Sequence, residues 1–184
     1  MQITECFERF YSCLVYYFWG KKIKICVAGV SRSGKTSFCR AMIQERVLKK
    51  EKPTLGIQLR RFVKQGVHGV FYDIGGGEQY QNLVDFHYRL ADAFFFVIDS
   101  SDSETWSRAK ERLNGILSRN KHVRIPILVL CTHNDVDGFG TCQDIALDIG
   151  LDSLLGRDIA CYSISSQTMS NFAAVEEWIV KHAK

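Results

Sequence analysis

The stretch KIKICVAGVSRSGKT at residues 22–36 decides the fold of this chain. Its first half alternates between polar and apolar residues and then becomes fully apolar, as a strand does on entering a core. It leads directly into Gly29-x-x-x-x-Gly34-Lys35-Thr36, the P-loop pattern in its expected place between a strand and a helix. Backbone N–H groups of such a loop converge on phosphate oxygens, and the following helix adds the positive end of its dipole. The sequence therefore predicts a phosphate site.

The side chains of this loop have separate roles. Lys35 supplies a charge for the β- and γ-phosphates of a nucleotide, and Thr36 supplies a hydroxyl for magnesium. The pattern alone leaves nucleotide kinases, ATPases and GTPases open. The predicted phosphate-binding residues are Gly29, Ser31, Arg32, Ser33, Gly34, Lys35, Thr36 and Ser37.

Two later segments are typical of a protein that senses a third phosphate. Thr54 follows the first helix, and residues 57–63 and 69–74 alternate like the two strands of a hairpin. The hairpin ends in Asp73-Ile74-Gly75-Gly76, a D-x-x-G element. Thr54 and Asp73 can join Thr36 at a magnesium ion, and the Gly76 N–H can meet a γ-phosphate. This order favours a GTPase with two switches, since a nucleotide kinase has no use for it.

Three further apolar runs, at residues 93–99, 125–131 and 159–163, read as buried parallel strands. Strands that alternate with helices predict a doubly wound α/β sheet, which binds its ligand at the carboxyl ends of the strands. GTPases carry [NT]-K-x-D after the fifth strand, and here Thr132-His133-Asn134-Asp135 stands there. The Asp135 carboxylate is placed to accept hydrogen bonds from the guanine N1–H and 2-amino groups. The predicted guanine site comprises Thr132, His133, Asp135, Ser163 and Ile164, where a backbone N–H near Ser163 and Ile164 meets guanine O6.

Residues 1–19 have the pattern of an amphipathic helix with a wide apolar face. The uninterrupted apolar stretch is too short to span a bilayer, and Glu5 and Glu8 stand where a signal peptide has positive charge. The helix either packs permanently on the domain or inserts into a membrane interface, and we predict insertion in at least one state. The membrane-facing residues are predicted to be Ile3, Phe7, Phe10, Leu14 and Phe18.

Composition predicts one globular domain. The chain has 184 residues, a net charge of +4 and 46% hydrophobic residues. Lys and Arg concentrate between residues 40 and 64, which suits a solvated surface or a face toward a membrane or partner; we predict no nucleic-acid partner. The seven cysteines form no Cys-x-x-Cys pair, and their irregular spacing indicates free thiols rather than a disulfide framework or a zinc site.

With these motifs in place, the chain resembles the Arf/Arl (ADP-ribosylation-factor-like) small GTPases over essentially its whole length. The marks are the amphipathic amino terminus, Pro53-Thr54-x-Gly56, Asp73-Ile74-Gly75-Gly76, the run FVIDSSD at 96–102 and Glu177-Trp178-Ile179. The Cys-Tyr-Ser-Ile-Ser run at 161–165 and the unmyristoylated aromatic amino terminus are most similar to the lysosome-associated Arf-like subgroup eight.

The resemblance implies a six-stranded, mostly parallel P-loop G-domain at 21–184 with helices on both faces, preceded by the amphipathic helix at 1–20. It implies a monomeric switch that binds GTP or GDP with Mg²⁺, together with exchange-factor and effector partners. It also implies a cytoplasmic protein that is peripheral on endomembranes, with lysosome or endosome as candidates. GTP binding would move the hairpin and expel the helix toward the membrane. The effector residues carried over are Ile57, Tyr72 and His87.

Three positions depart from the family pattern. Gly77 replaces the Gln that orients the attacking water, so no catalytic residue is assigned and hydrolysis is predicted to be slow. His133 replaces a Lys whose stem packs on the base, and Thr132 replaces an Asn. The leading hypothesis is a membrane-coupled switch with weak intrinsic hydrolysis. The alternative is a degenerate G-domain that acts as a nucleotide-stabilised binding module without a hydrolytic cycle.

Overall fold

The computed structural model describes residues 20–47, 52–154 and 156–184, which form an α/β domain around one sheet. Six strands lie in the order β2-β3-β1-β4-β5-β6. All neighbouring pairs are parallel except β2 with β3, which are antiparallel and form the predicted hairpin. The strands are β1 (Lys21–Gly29), β2 (Ile57–Lys64), β3 (Val67–Ile74), β4 (Ala93–Asp99), β5 (Ile127–Thr132) and β6 (Ile159–Ser163).

The central strands are apolar on both sides because helices cover both faces of the sheet. In β4, Phe95 and Val97 point to one face, whereas Phe94 and Phe96 point to the other. The period-two alternation of strand side chains thus divides the core into two layers. The helices are α1 (Lys35–Met42), α2 (Gln81–Leu90), α3 (Trp106–Arg119), α4 (Cys142–Ile149) and α5 (Phe172–His182). Residues of α1 and α5 join one layer, and residues of α2, α3 and α4 join the other.

The fold predicted from sequence is confirmed for the described residues, with six mostly parallel strands and helices on both faces. Helices α2 and α4 were not predicted. Each is short and follows a loop whose sequence was interpreted as a binding motif. No helix within residues 20–47, 52–154 and 156–184 is long and apolar enough to cross a membrane. The predicted amphipathic helix at 1–19 lies outside the described residues.

Candidate nucleotide-binding site

The P-loop connects β1 to α1 at the carboxyl edge of the sheet. Gly34 has a φ of 80°, a left-handed conformation that glycine adopts without strain. A Cβ on Gly34 would also lie 3.2 Å from Thr132 Cγ2, so the loop and the end of β5 pack closely here. The sequence folds this way because an apolar strand and a helix start are joined by six residues with glycine at both ends.

Lys35 is buried at the start of α1 and faces the interior of the P-loop. Its ammonium group donates hydrogen bonds to the Val30 carbonyl oxygen at 2.6 Å and to Ser33 Oγ at 3.4 Å. The pKa of Lys35 is lowered to about 8, mainly by burial; the charge of Asp73 opposes this lowering, and the charge of Arg112 adds to it. A buried cation held only by neutral oxygens fits a phosphate counter-charge.

Three side chains that the sequence assigned to a metal ion meet beside the P-loop. The hydroxyl oxygens of Thr36 and Thr54 lie 2.7 Å apart, although 18 residues separate them along the chain. Asp73, at the end of β3, is fully buried, and neither of its carboxylate oxygens has a hydrogen bond of ordinary geometry in the described structure. The nearest cation is Arg60, whose Nε lies 3.7 Å from Asp73 Oδ2.

This oxygen set fits Mg²⁺, a hard cation that is bound through carboxylates, hydroxyls and water. Burial raises the pKa of Asp73, and the nearby Thr36 hydroxyl together with the charges of Lys35 and Arg60 offsets part of that rise. A divalent cation beside the carboxylate stabilises its ionised form by direct charge attraction. Thr36, Thr54 and Asp73 are therefore the residues that would hold the metal.

The loop after β3 lies directly against the P-loop. A Cβ on Gly76 would lie 2.5 Å from the Ser31 nitrogen, so only glycine allows this approach. At the next position, a Cβ on Gly77 would lie 2.9 Å from Gln79 Nε2, because the Gln79 amide folds back over Gly77. Residue 77 therefore offers only backbone groups. The side chain that lies over it is the Gln79 amide, from the following turn.

Arg112 on α3 holds the same loop from behind. Its guanidinium donates hydrogen bonds to the Gly76 carbonyl oxygen at 2.9 Å and to the Gly77 carbonyl oxygen at 3.4 Å. Sequence reasoning missed this residue, because its partners are backbone groups 35 and 36 positions away and leave no local signal. A cation on those carbonyls fixes the orientation of the glycine peptides that face the P-loop.

These elements border a cavity of about 720 Å³, a volume typical of small-molecule sites. The two switch segments meet across it, since Gly75 N–H donates to the Gly56 carbonyl oxygen at 2.9 Å. Of the predicted phosphate and metal residues, those that line the cavity are Ser31, Arg32, Gly34, Lys35, Thr36, Ser37, Thr54 and Gly76.

The predicted guanine loop follows β5, and its side chains differ in burial and in hydrogen-bond partners. Thr132 is buried, and its hydroxyl lies 3.0 Å from the Ser33 carbonyl oxygen, to which it donates a hydrogen bond. Its side chain therefore ties the loop to the P-loop. His133 lines the cavity with a φ of 63°, and its Nδ1 lies 2.9 Å from Asp99 Oδ1. That hydrogen bond raises the pKa of His133, and the Asp135 charge contributes in the same direction.

Asp135 is exposed at the far side of this loop and lies outside the residues that line the cavity. Its charge helps to raise the pKa of His133, which does line the cavity. In the last loop, the Ile164 N–H donates to the Cys131 carbonyl oxygen at 2.8 Å, and the Ser163 carbonyl oxygen accepts a hydrogen bond from Asn171.

Ser166 and Gln167 line the cavity instead, two and three residues after Ile164. The preceding Ser165 organises this turn, because its hydroxyl oxygen accepts hydrogen bonds from the Gln167 and Thr168 N–H groups at 3.1 and 3.2 Å. The sequence analysis predicts the guanine O6 contact at Ser163 and Ile164, just ahead of these two cavity-lining residues. A Ser-Ser-Gln run after a buried strand is a turn signal that marks Ser166 and Gln167.

The three residues predicted to meet effectors lie on one side of the β2–β3 hairpin. The rings of Tyr72 and His87 lie 4.8 Å apart, and Ile57 pairs with Ile74 at the start of β2. Leu59 and Phe86 flank them and are 62% and 58% exposed. Because β2 is an edge strand, this surface combines unpaired backbone groups with exposed apolar side chains, which is typical of a binding surface.

Comparison with known proteins agrees with this geometry. The family model described as "ADP-ribosylation factor family" matches residues 10–183. Similar curated proteins include ADP-ribosylation factor-like protein 8b of Arabidopsis thaliana, 28% identical over 91% of each chain, and protein 8d of the same plant, 26% identical over 89% of this chain and 93% of that one. A similar solved structure is the small GTPase Arl6 (BBS3) of Trypanosoma brucei with the bound nucleotide analogue GppNp. It has a TM-score of 0.76, 22% identity and coverage of 87% of this chain and 96% of that one.

Proposed function

The chain belongs to the ADP-ribosylation factor family, and from this premise we propose that it couples GTP binding to membrane attachment and effector recruitment. As an Arf-like small GTPase, similar to the plant subgroup-eight proteins, it binds GTP and GDP with Mg²⁺ and hydrolyses GTP. Its broad role is that of a GTP-binding switch in membrane trafficking.

The observation that supports a switch most directly is the pair of hydroxyls on Thr36 and Thr54, 2.7 Å apart. Thr36 belongs to the rigid P-loop helix, whereas Thr54 belongs to the segment that leads into the β2–β3 hairpin. A magnesium ion bound to both joins the nucleotide to that hairpin, and loss of the γ-phosphate weakens the link. The buried Asp73 at the end of the same hairpin adds a second connection.

For this function, some residues bind the nucleotide phosphates and others position the groups that contact them. Lys35 and the P-loop N–H groups hold the phosphates, and Arg112 fixes the Gly76 peptide that faces the third phosphate. Bound Mg²⁺ supplies charge neutralisation for phosphoryl transfer. No side chain stands at residue 77 to orient water, so we propose that intrinsic hydrolysis is slow and that the GTP state persists.

Base selection rests on Asp135. Two hydrogen bonds to one carboxylate contribute about 3–6 kcal/mol to binding, since a hydrogen bond to a charged group contributes about 1.5–3 kcal/mol. We expect Asp135→Asn to weaken GDP binding by about 100-fold or more and to favour xanthine nucleotides, because the amide donates where the carboxylate accepted. The measurement is calorimetric titration with GDP, xanthosine diphosphate and ADP in the presence of Mg²⁺.

Asp137→Asn is the matched control, because Asp137 is an exposed carboxylate in the same loop but stands two residues beyond the aspartate of the guanine motif. It should leave GDP affinity unchanged. Equal affinity of the unchanged protein for ADP and GDP would contradict the assignment of Asp135.

The remaining features of the proposal concern location and partners. We propose that residues 1–20 form a membrane-binding helix ahead of a G-domain at 21–184, and that the protein works as a monomer. The side chains of Ile57, Tyr72 and His87, with Leu59 beside them, form the surface offered to effectors. We also propose peripheral attachment to an endomembrane, with lysosome or endosome as candidates; the similarity to Arf-like proteins 8b and 8d supports membrane association.

A further inference from the structure

Three cysteines that are far apart in the sequence meet on the face of the sheet covered by α4. Cys131 lies near the end of β5, Cys161 lies in β6, and Cys142 is the first residue of α4. Their sulfur atoms all lie within 4.8 Å of one another, and Cys131 Sγ is 3.5 Å from Cys161 Sγ. The Cys131 side chain is buried, whereas the other two are half-buried and so accessible from one side.

A disulfide between Cys131 and Cys161 is a poor explanation for their contact. Cys131 pairs with Ser163 and Cys161 pairs with Val129, so the two cysteines are offset by two residues on neighbouring parallel strands. That offset, combined with the spacing of strands, places their Cα atoms about 8 Å apart. Disulfides need Cα atoms within about 7 Å, so a bond between Cys131 and Cys161 requires the strands to move.

The spacing of the sulfurs fits a metal ion instead. Zinc–sulfur bonds of about 2.3 Å place two ligand sulfurs about 3.8 Å apart in a tetrahedral site. We propose that Cys131, Cys142 and Cys161 bind one thiophilic d¹⁰ cation, Zn²⁺ or Cu⁺, through three thiolates. Each thiol that becomes a ligand releases its proton to solvent.

The local electrostatics support this assignment. Cys142 is the first residue of α4, where the helix dipole favours the negative charge of a thiolate. By contrast, burial raises the pKa of the isolated Cys26 thiol, so it is a poor ligand.

The number of ligands that the protein offers affects Cu⁺ and Zn²⁺ differently. Among the described residues, no histidine, aspartate or glutamate joins the three sulfurs. Three soft ligands satisfy Cu⁺, whereas Zn²⁺ keeps a fourth position for water or an external ligand. Titration with both ions therefore distinguishes them.

The cluster also has a position of functional interest. Cys131 immediately precedes Thr132, and Cys142 immediately follows Thr141, so the two cysteines bracket the loop that carries His133 and Asp135. A bound ion would fix both ends of this loop against β6. This consequence for the base site rests on the proposed function, but binding of the metal does not.

The test is a metal titration of the full-length protein, reduced and stripped of metal with a chelator. Cd²⁺ serves as the spectroscopic probe through its thiolate charge-transfer absorption, followed by competition with Zn²⁺ and with Cu⁺ under anaerobic conditions. We expect one ion per chain. Cys142→Ser and Cys161→Ser should each weaken binding by about 100-fold or more, since even residues that only orient a ligand contribute about 10–100-fold.

Cys26→Ala, and Cys6→Ser combined with Cys13→Ser, are the controls and should bind as the unchanged protein does. A thermal melt checks that each variant is folded. Absence of stoichiometric binding, or binding that survives both Cys142→Ser and Cys161→Ser, would contradict the proposal. It would show that the three thiols pack together but do not bind a metal ion. Because absorption is read without nucleotide, this result is independent of whether the protein binds GTP.

Discussion

At the scale of single residues, we expect Gly77 and Gln79 to determine how fast the bound GTP is hydrolysed. Residue 77 has no side chain to hold the attacking water, and loss of one positioning group commonly costs about 100-fold in rate. We expect Gly77→Gln to raise the single-turnover rate of hydrolysis. The gain should be larger in Gly77→Gln/Gln79→Ala, because a Cβ at residue 77 meets the Gln79 amide.

Gln79→Ala alone is the control for this experiment and should hydrolyse GTP as slowly as the unchanged protein. If it is instead tenfold slower, the Gln79 amide itself positions the water, and Gly77 is there to make room for it. If the unchanged protein reaches the rates of its relatives without a partner, the prediction of slow hydrolysis fails.

Residues also mark where sequence reasoning succeeded and where it did not. Thr36, Thr54 and Asp73 were identified because P-loop chemistry demands oxygen ligands at fixed points along the chain, and the structure brings them together. Arg112 escaped notice because a contact between an arginine and distant backbone carbonyls depends on tertiary packing alone. The hydrogen bond of the Ile164 N–H to the end of β5 is likewise a tertiary contact that the strand pattern does not reveal.

At the scale of elements, α3 supports the switch segment that follows β3. The Arg112 guanidinium bonds to the Gly76 and Gly77 carbonyl oxygens, and each hydrogen bond to a charged group contributes about 1.5–3 kcal/mol before partial exposure is considered. We expect Arg112→Ala to weaken binding of a non-hydrolysable GTP analogue by about tenfold, with little change for GDP. Stopped-flow measurement of the dissociation of fluorescent nucleotides checks this.

Arg108→Ala is the matched control, because Arg108 lies one turn earlier on α3 and borders the same side of the loop. It should leave both affinities unchanged. Equal weakening of GDP and GTP binding by Arg112→Ala would show that α3 only stabilises the domain as a whole.

Some strands and helices were easier to predict from the sequence than others, for a physical reason. Strands β1, β4 and β5 are apolar because they are covered on both faces, so their sequence is a strong signal. Helix α4 has only eight residues and depends on a capping box between Thr141 and Asp144, which is a weaker pattern than a buried strand. Its position nevertheless brings Cys142 to the other two cysteines, and no spacing rule in the sequence predicts that meeting.

At the scale of the whole molecule, the G-domain is expected to act on a membrane through the segment that precedes it. The described domain begins with Lys21, Lys22 and Lys24, which are exposed on β1 directly after residues 1–19. Basic side chains beside an apolar helix face favour the surface of an anionic bilayer. The same strand is paired with β3 of the switch hairpin, so a shift of that hairpin acts next to the attachment point of the helix.

We therefore expect the full-length protein to cosediment with anionic liposomes more strongly with a GTP analogue than with GDP. Each lysine near such a surface contributes about 1 kcal/mol, so the triple substitution of Lys21, Lys22 and Lys24 by glutamine should weaken association by at least about tenfold. Phe7→Glu and Phe10→Glu should abolish it by placing charge on the apolar face, while nucleotide affinity stays unchanged. Sedimentation that is the same in both nucleotide states, or that persists after deletion of residues 1–19, would show that nucleotide binding does not control membrane binding through this segment. The switch would then act through the effector surface alone.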